Sequence, residues 1–231
     1  MKVNGDGLFK VPPSIPLELL STLFVSPTTA LRLISDFGNL KHGDWIIQNG
    51  ANSLVGQAVI VLSQYMGFNT INVVREGLRS EQEMDQLLST LHALGGDINL
   101  SDVMLKEKVF QDGVVGDLPP IKLALNCTGG DMGEGIALAL GEGGEFVTYG
   151  GMSKKPVKIP AASGKNLSFK GFWMTDWYGT HGDGGREGML EVFQDLIVNH
   201  QRGWFTKNFH FEDFNTAYLH SSKVSILLFV S

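Results

Sequence analysis

Apolar positions along the chain recur in two alternating rhythms. From residue 17 to 35, Leu19, Leu20, Leu23, Leu31 and Ile34 follow helical spacing, interrupted by Pro27. Two short runs without that period, Asp44 to Gln48 and Ile71 to Val74, read as strands, and between them Leu54 to Met66 reads as a helix with one apolar face. Ser80 to Leu94 is expected to be helical, opened by a capping box of Ser80 with Glu83 and ended by Gly95 and Gly96. An irregular stretch through Pro119 and Pro120 leads to a strand, Lys122 to Asn126, then a glycine turn and a helix from Met132 to Leu140. Glu145 to Tyr149 and Phe169 to Met174 read as further strands. Gly188 to Asn199 reads as a helix with Met189, Leu190, Phe193, Ile197 and Val198 on its apolar side, and Ser225 to Val230 as a last strand. Strands separated by helices of this length imply βαβ units. The expected fold class is therefore α/β, a doubly wound parallel sheet with helices on both faces. No internal repeat or low-complexity segment interrupts it.

Composition narrows the function classes. With 231 residues and 43% apolar content, the chain can fill a proper core. The 29 glycines, about 13% of the chain against a usual ~7%, gather near expected strand ends and imply many tight turns. A net charge of −6 without a basic block argues against a nucleic-acid partner. A single cysteine, Cys127, precludes an internal disulfide, and six histidines without ligand spacing point to no metal. Val224 to Val230 is far too short to span a bilayer, so no membrane insertion is expected. MKVNGDGLFK carries no signal core or amphipathic transit pattern, so no targeting segment is visible.

The candidate chemistry lies in IIQNGANSLVGQAVIVL, residues 46 to 62. A turn at a strand's carboxyl end, followed by a helix whose first N–H groups are free, can hold a phosphate or diphosphate. NGANSLVG departs from G-x-G-x-x-G, and Gly56 also suits plain close packing of helix on strand; spacing alone leaves both readings open. No P-loop and no Y-x-x-x-K occurs. The second strand runs into Arg75, with Arg79 following. An arginine there accommodates a 2′-phosphate and favours NADPH, whereas an acidic residue would select NAD; Glu76 is the awkward neighbour, and two solvated loop arginines are the alternative.

Taken in order, KVPPSIPLE, VSPTTALRLISDF, GDWIIQNGANSLVGQAVI, TINVVRE, LALNCTGG, VTYGGMSKKPV and KGFWMTDW resemble the mitochondrial 2-enoyl thioester reductases of the zinc-independent medium-chain dehydrogenase/reductase superfamily. The resemblance implies a Rossmann-type domain that binds NADPH. It places Asn52, Ser53, Leu54 and Val55 on the cofactor diphosphate and Arg75 on the 2′-phosphate. Tyr149, Gly150, Gly151 and Met152 fall beside the nicotinamide, Phe172, Trp173 and Met174 in a strand segment lining the cofactor cleft, and Lys223 on the cofactor from the C-terminal segment. Glu76, Gly77 and Leu78 replace an Asp-Arg-Pro common in the family, leaving open whether Arg79 substitutes for a second phosphate contact. Ser26 stands where the family has an asparagine. Trp173 is also a candidate lining residue of the acyl tunnel. Cys127 reads as a small buried residue rather than a nucleophile.

The resemblance further implies hydride transfer to C3 and a proton to C2 of a trans-2-enoyl thioester, carried by coenzyme A or acyl carrier protein, in the mitochondrion, by a homodimer joined through the strand Phe169 to Met174. Residues 1–20 are expected to connect from a GroES-like catalytic domain, 21–200 to form the NADPH-binding domain, and 201–231 to return to the catalytic domain as its C-terminal remnant. The family's proton-donating tyrosine lies in that domain, which this chain is expected to lack for the most part. None of Tyr65, Tyr149, Tyr178 or Tyr218 is in its place, so no catalytic residue is assigned. A quinone-reductase-like oxidoreductase of the same superfamily and a noncatalytic NADPH-binding protein are the two alternatives.

Overall fold

The computed structural model describes residues 10–77, 79–107, 113, 115–158, 164–205, 208–210 and 228–230. Six parallel strands form the central sheet: β1 (Trp45–Asn49), β2 (Asn69–Val74), β3 (Ile98–Ser101), β4 (Leu123–Asn126), β5 (Glu145–Thr148) and β6 (Ser168–Gly171), in the order β3-β2-β1-β4-β5-β6. Counting outward from β1, the chain winds first one way and then the other, so the strand order reverses between β1 and β4. That switch point opens a crevice at the strands' carboxyl ends, where open α/β sheets bind ligands. A separate parallel pair joins β7 (Asn208–His210) to β8 (Leu228–Val230).

Helices cover both faces, as the alternating pattern requires. On one face α1 (Leu17–Leu23), α2 (Ser26–Asp36), α3 (Leu54–Met66), α4 (Glu81–Ala93) and α8 (Met174–Gln194) pack against Ile46, Val74, Leu123, Leu125 and Val147. On the other, α5 (Asp102–Lys106) and α7 (Gly130–Leu138) pack against Ile47, Ile71, Val73, Ala124 and Phe146, with the single turn α6 (Val115–Asp117) at the margin. Strand positions 46 and 47 therefore face opposite cores, the period-two consequence of a sheet buried on both sides.

Two rows of buried amides cross this apolar sheet. On the α3 face, Gln48 Nε2 donates to Asn72 Oδ1 (2.8 Å) and Asn72 Nδ2 to Asn99 Oδ1 (3.0 Å), the three being register partners on β1, β2 and β3. On the α7 face, Asn49 Nδ2 donates to Asn126 Oδ1 (2.8 Å) and Asn126 Nδ2 to Thr148 Oγ1 (3.1 Å). The rows pair most of these polar groups, which would otherwise be costly inside the sheet, although Gln48 Oε1 finds no partner among the described residues.

Several expected elements are found nearly as read, including α3 at its stated limits and the Ser80–Glu83 capping box, with both reciprocal bonds formed. The helix expected over 17–35 is instead two, because Pro27 enters the first turn of α2, where a missing N–H costs nothing; the two axes differ by 59°. The Met132–Leu140 helix begins two residues earlier and ends at Leu138. β3 lies in the stretch read as irregular. The strand expected to run to Met174 stops at Gly171, and Met174 opens α8, which starts well before the expected Gly188. Its five internal glycines mask a helix held by side-chain contacts: Trp177 stacks on His181 at 4.0 Å, Arg32 lies over the same indole at 4.7 Å, and Gly182 (φ +57°) marks the break. The strand expected at Ser225 to Val230 is described only over 228–230. No single described helix is long and apolar enough to cross a membrane.

Candidate functional site

The turn after β1 is built to bring backbone close to backbone. Gly50 takes φ +64°, and a Cβ there would meet Cys127 Sγ at 2.4 Å. Ser53 N–H donates to Gly50 O (2.9 Å), closing the turn, and Ala51 N–H donates to Val73 O (3.2 Å), fixing it to β2. Ser53 then caps α3, its Oγ accepting from Gly56 N–H at 3.1 Å. Gly56 lies so near Ala51 that a Cβ would stand 2.6 Å from its Cα and carbonyl oxygen. The close-packing role of Gly56 is therefore realised, and it holds the helix's amino end at the switch point. The remaining first-turn N–H groups and the helix dipole favour an anion there. Leu54 is buried beneath the turn and Val55 packs at the core's edge.

The loops after β4 and β5 meet this turn. Asn49 Oδ1 accepts from Cys127 N–H (2.8 Å) and Thr128 N–H (3.1 Å), so a β1 side chain dictates the path of the β4 loop. Tyr149 N–H donates to Asn126 O, Met152 N–H to Cys127 O and Ser153 N–H to Thr128 O, at 2.8–3.1 Å. Gly150 has no room for a side chain, as its Cβ would lie 2.9 Å from Cys127 O; Gly151 faces open space. Gly150 and Gly151 line a cleft of about 480 Å³ with Gly129, Thr148, Lys155 and Phe169, on the β4–β6 side of the switch point. The turn at 50–53 and Arg75 lie outside that cleft, further along the same carboxyl edge.

Tyr149 sits where these pieces converge. Its hydroxyl is buried beside the Cys127 thiol and the Ser53 hydroxyl, aligned with neither in a hydrogen bond. Burial, with the Cys127 sulfur adding to it, drives the phenol well above its ordinary range, so it is a neutral donor at working pH. Burial likewise pushes the Cys127 thiol up from 9.0 to about 11, with the Tyr149 hydroxyl and a backbone N–H offsetting only part. Cys127 is thus the inert buried residue expected. Its folded form binds the proton more tightly than the unfolded form, so this contribution to stability is complete below pH 9 and fades as pH rises to about 11. An aromatic disulfide reagent added at about pH 8 should leave the native thiol intact and titrate one thiol per chain after denaturation; stoichiometric labelling of native protein would refute this environment.

Arg75 lies just past β2, exposed, with its Nε 3.8 Å from the position of a Cβ on Gly77, where the chain turns at φ +62°. Arg79 Nη1 donates to Arg75 O at 2.6 Å, folding the Arg79 guanidinium back onto the Arg75 backbone. Glu76, the feared competitor, has its N–H held by Asp102 Oδ1 (2.9 Å). Among the described residues neither arginine has a carboxylate within ion-pair distance.

The remaining candidates divide. Phe172 is half-buried, its N–H donating to Thr148 O (2.9 Å) and its ring edge-on to Phe37 at 5.8 Å. Met174 is buried in the α8 core, whereas Trp173, 62% exposed, and Met152, 75% exposed, project outward. Phe172, Trp173 and Met174 therefore do not form a continuous strand wall; β6 ends at Gly171 and α8 begins at Met174. Lys223 lies outside the described residues. Among the described residues no cluster of acidic, cysteine and histidine side chains could hold a metal. Residue-by-residue reading passed over Asn49, Asn126 and Gln57, although each organises a site loop; their one signal is an amide inside an apolar run.

No protein-family model matches the chain. It is 40% identical over 222 residues to the mitochondrial enoyl-[acyl-carrier-protein] reductase of Dictyostelium discoideum, covering 95% of this chain and 62% of that protein. It is 37% identical over 205 residues to the Homo sapiens protein of the same name, covering 88% and 53%. Its fold superposes, at TM-score 0.80 and 26% identity, on a mitochondrial 2-enoyl thioester reductase Etr1p/Etr2p heterodimer from Candida tropicalis, over 92% of this chain and 61% of that one. An Etr1p complex with NADP and crotonyl-CoA matches at TM-score 0.80 and 25% identity, over 93% and 62%. The chain spans between half and about three-fifths of the length of these relatives. By sequence across nearly its whole length, and by fold, the chain is similar to part of the mitochondrial enoyl thioester reductases.

Proposed function

We propose that the chain supplies the NADPH-binding part of an oxidoreductase that reduces the C2–C3 double bond of trans-2-enoyl thioesters of coenzyme A or acyl carrier protein. The observation that carries this reading is the Ser53-capped amino end of α3, held at the switch point by Gly56, with Arg75 at the next strand's end and, among the described residues, no carboxylate within ion-pair distance of it. The residues fit the cofactor: Gly50 and Gly56 clear the backbone for close approach, Asn52, Ser53, Leu54 and Val55 frame the diphosphate position, and Arg75 stands where a 2′-phosphate is read. The bound NADPH supplies the hydride. This chain binds and orients: the 149–152 loop, tied to the β4 loop, is to hold the nicotinamide end, and Trp173 is available to line the acyl path. The developing enolate and the proton at C2 belong to groups outside the residues assigned here.

Residues 21–200 are read as the NADPH-binding domain, 1–20 as the connection from a catalytic domain, and 201–231 as the segment returning to it. The names of the relatives support a mitochondrial setting. Self-association into a homodimer is proposed through β6, the sheet's edge, whose four residues are all exposed.

The test pairs NADPH with candidate acceptors. Crotonyl-CoA or a longer enoyl-CoA should be reduced at the expense of NADPH by a full-length version of the protein, and a quinone should not. Preference for quinone would select the quinone-reductase reading. Tight NADPH binding with no reduction of either would select a noncatalytic one.

A further inference from the structure

Gln57 occupies the first turn of α3, 6% exposed, and makes two hydrogen bonds outside its helix. Its Nε2 donates to Asn52 O at 3.0 Å, and its Oε1 accepts from Phe205 N–H at 3.0 Å. The amide orientation is dictated by these partners, because the flipped form would set donor against donor and acceptor against acceptor. One bond reaches the turn framing the diphosphate position. The other reaches the chain as it leaves α8 and crosses back over α1 and α3. That crossing is anchored: Trp204, 4% exposed, donates from Nε1 to Thr22 Oγ1 (3.0 Å) and packs edge-on against Phe193 at 6.0 Å. Gly203 lies against Leu19 closely enough that a Cβ would stand 3.1 Å from its side chain.

We propose that Gln57 is a positioning residue coupling the cofactor turn to the crossing segment 203–205, and the proposal rests on the NADPH reading above. The Asn52 carbonyl is a dipole that would repel an anion if it swung outward. Gln57 keeps it turned into the protein while Ser53 N–H holds the other side of the same peptide to Gly50 O. The same amide carries the Phe205 backbone, so the turn and the crossing cannot shift independently without leaving a buried polar group unpaired. Occupancy of the cofactor turn and order of the crossing are then linked reciprocally, each favouring the other.

Two variants separate the halves of the bridge. Gln57→Met removes both bonds at similar volume. Gln57→Glu, as the carboxylate at about pH 8, keeps an acceptor for Phe205 and loses the donor to Asn52. Calorimetry gives the NADPH dissociation constant, amide hydrogen exchange gives protection at Phe205, and circular dichroism establishes that each variant is folded. In the wild type NADPH should slow exchange at Phe205. Gln57→Met should bind NADPH roughly five- to twentyfold more weakly and lose that NADPH-dependent protection. Gln57→Glu should keep basal protection at Phe205 yet bind NADPH as weakly. Wild-type affinity in a folded Gln57→Met, or wild-type exchange at Phe205 indifferent to bound NADPH, would overturn the coupling alone. Failure of the wild type to bind NADPH would overturn the cofactor reading and the coupling with it.

Discussion

Arg75→Ala should weaken NADPH binding by roughly ten- to a hundredfold while leaving NADH binding within about twofold of wild type. The magnitude follows from one charge-assisted contact to a phosphate, about 1.5–3 kcal/mol, at ~1.4 kcal/mol per tenfold. The selectivity follows from placement, because Arg75 stands past β2, a strand away from the α3 turn that would meet the diphosphate common to both cofactors. Arg75 is exposed and no described carboxylate competes for it, so the substitution breaks no ion pair and should leave the melting temperature nearly unchanged. Arg79→Ala, measured beside it, addresses the departure from Asp-Arg-Pro. Since Arg79 is folded back onto the Arg75 carbonyl, part of any loss would come through Arg75's own placement. Equal weakening of NADPH and NADH by Arg75→Ala would remove Arg75 from the 2′-phosphate and with it the structural basis for preferring NADPH.

The second large effect is expected at Gly56. A methyl group there would lie 2.6–2.7 Å from the Ala51 Cα, carbonyl oxygen and carbonyl carbon, all backbone atoms that no rotamer change can move aside. Gly56→Ala must therefore push α3 off β1 or displace the turn, an overpacking cost of about 3 kcal/mol. For a chain of this size that corresponds to a fall of roughly 6–12 °C in melting temperature. Because the displaced turn is the one proposed to frame the diphosphate, NADPH affinity should fall as well. The control is Gly188→Ala, an exposed position in α8 with nothing within 4 Å of the new Cβ. There the better helix propensity of alanine should give a neutral or slightly stabilising change, up to about 1 kcal/mol. Equal melting temperatures for Gly56→Ala and wild type would mean the turn has slack that the geometry denies.

The parts of the fold legible in the sequence are those where local propensity and tertiary demand agree. α3 reads cleanly because its apolar side, its serine cap and Gly67 beyond its end all say the same thing. α4 reads cleanly because its capping box is a local device. β3 was not legible: Ile98-Asn99-Leu100-Ser101 alternates apolar and polar, but four residues are too few to stand out from a loop, and the bond in which Asn99 Oδ1 accepts from Asn72 Nδ2 exists only across the formed sheet. The first half of α8 was hidden for the opposite reason. Its glycines argue against a helix, and what outweighs them is a stack of Trp177 on His181 and an Arg32 cation above the indole, visible only once the chain is folded.

The site divides in the same way. The turn at 50–53 and Arg75 could be nominated from strand–turn–helix logic, and the 149–152 loop through the family resemblance. Asn49, Asn126 and Gln57 could not. An amide in an apolar run carries no local signature of what it will hold, and each of these reaches a partner that is a backbone group of another loop or a residue far along the chain.

The two rows of buried amides bear on how the sheet chooses its alignment during folding. Parallel strands rich in Ile, Val and Leu on both faces are poorly discriminated by hydrophobicity, because a strand shifted by one residue still presents apolar side chains on either side. Here such a shift would carry Gln48 to the α7 face and Asn49 to the α3 face, stranding both away from Asn72 and Asn126. Each misaligned pairing would bury unpaired amides on two fronts at once. The rows thus act as a lock-and-key check between neighbouring strands, rejecting off-by-one assemblies that the greasy positions alone would accept.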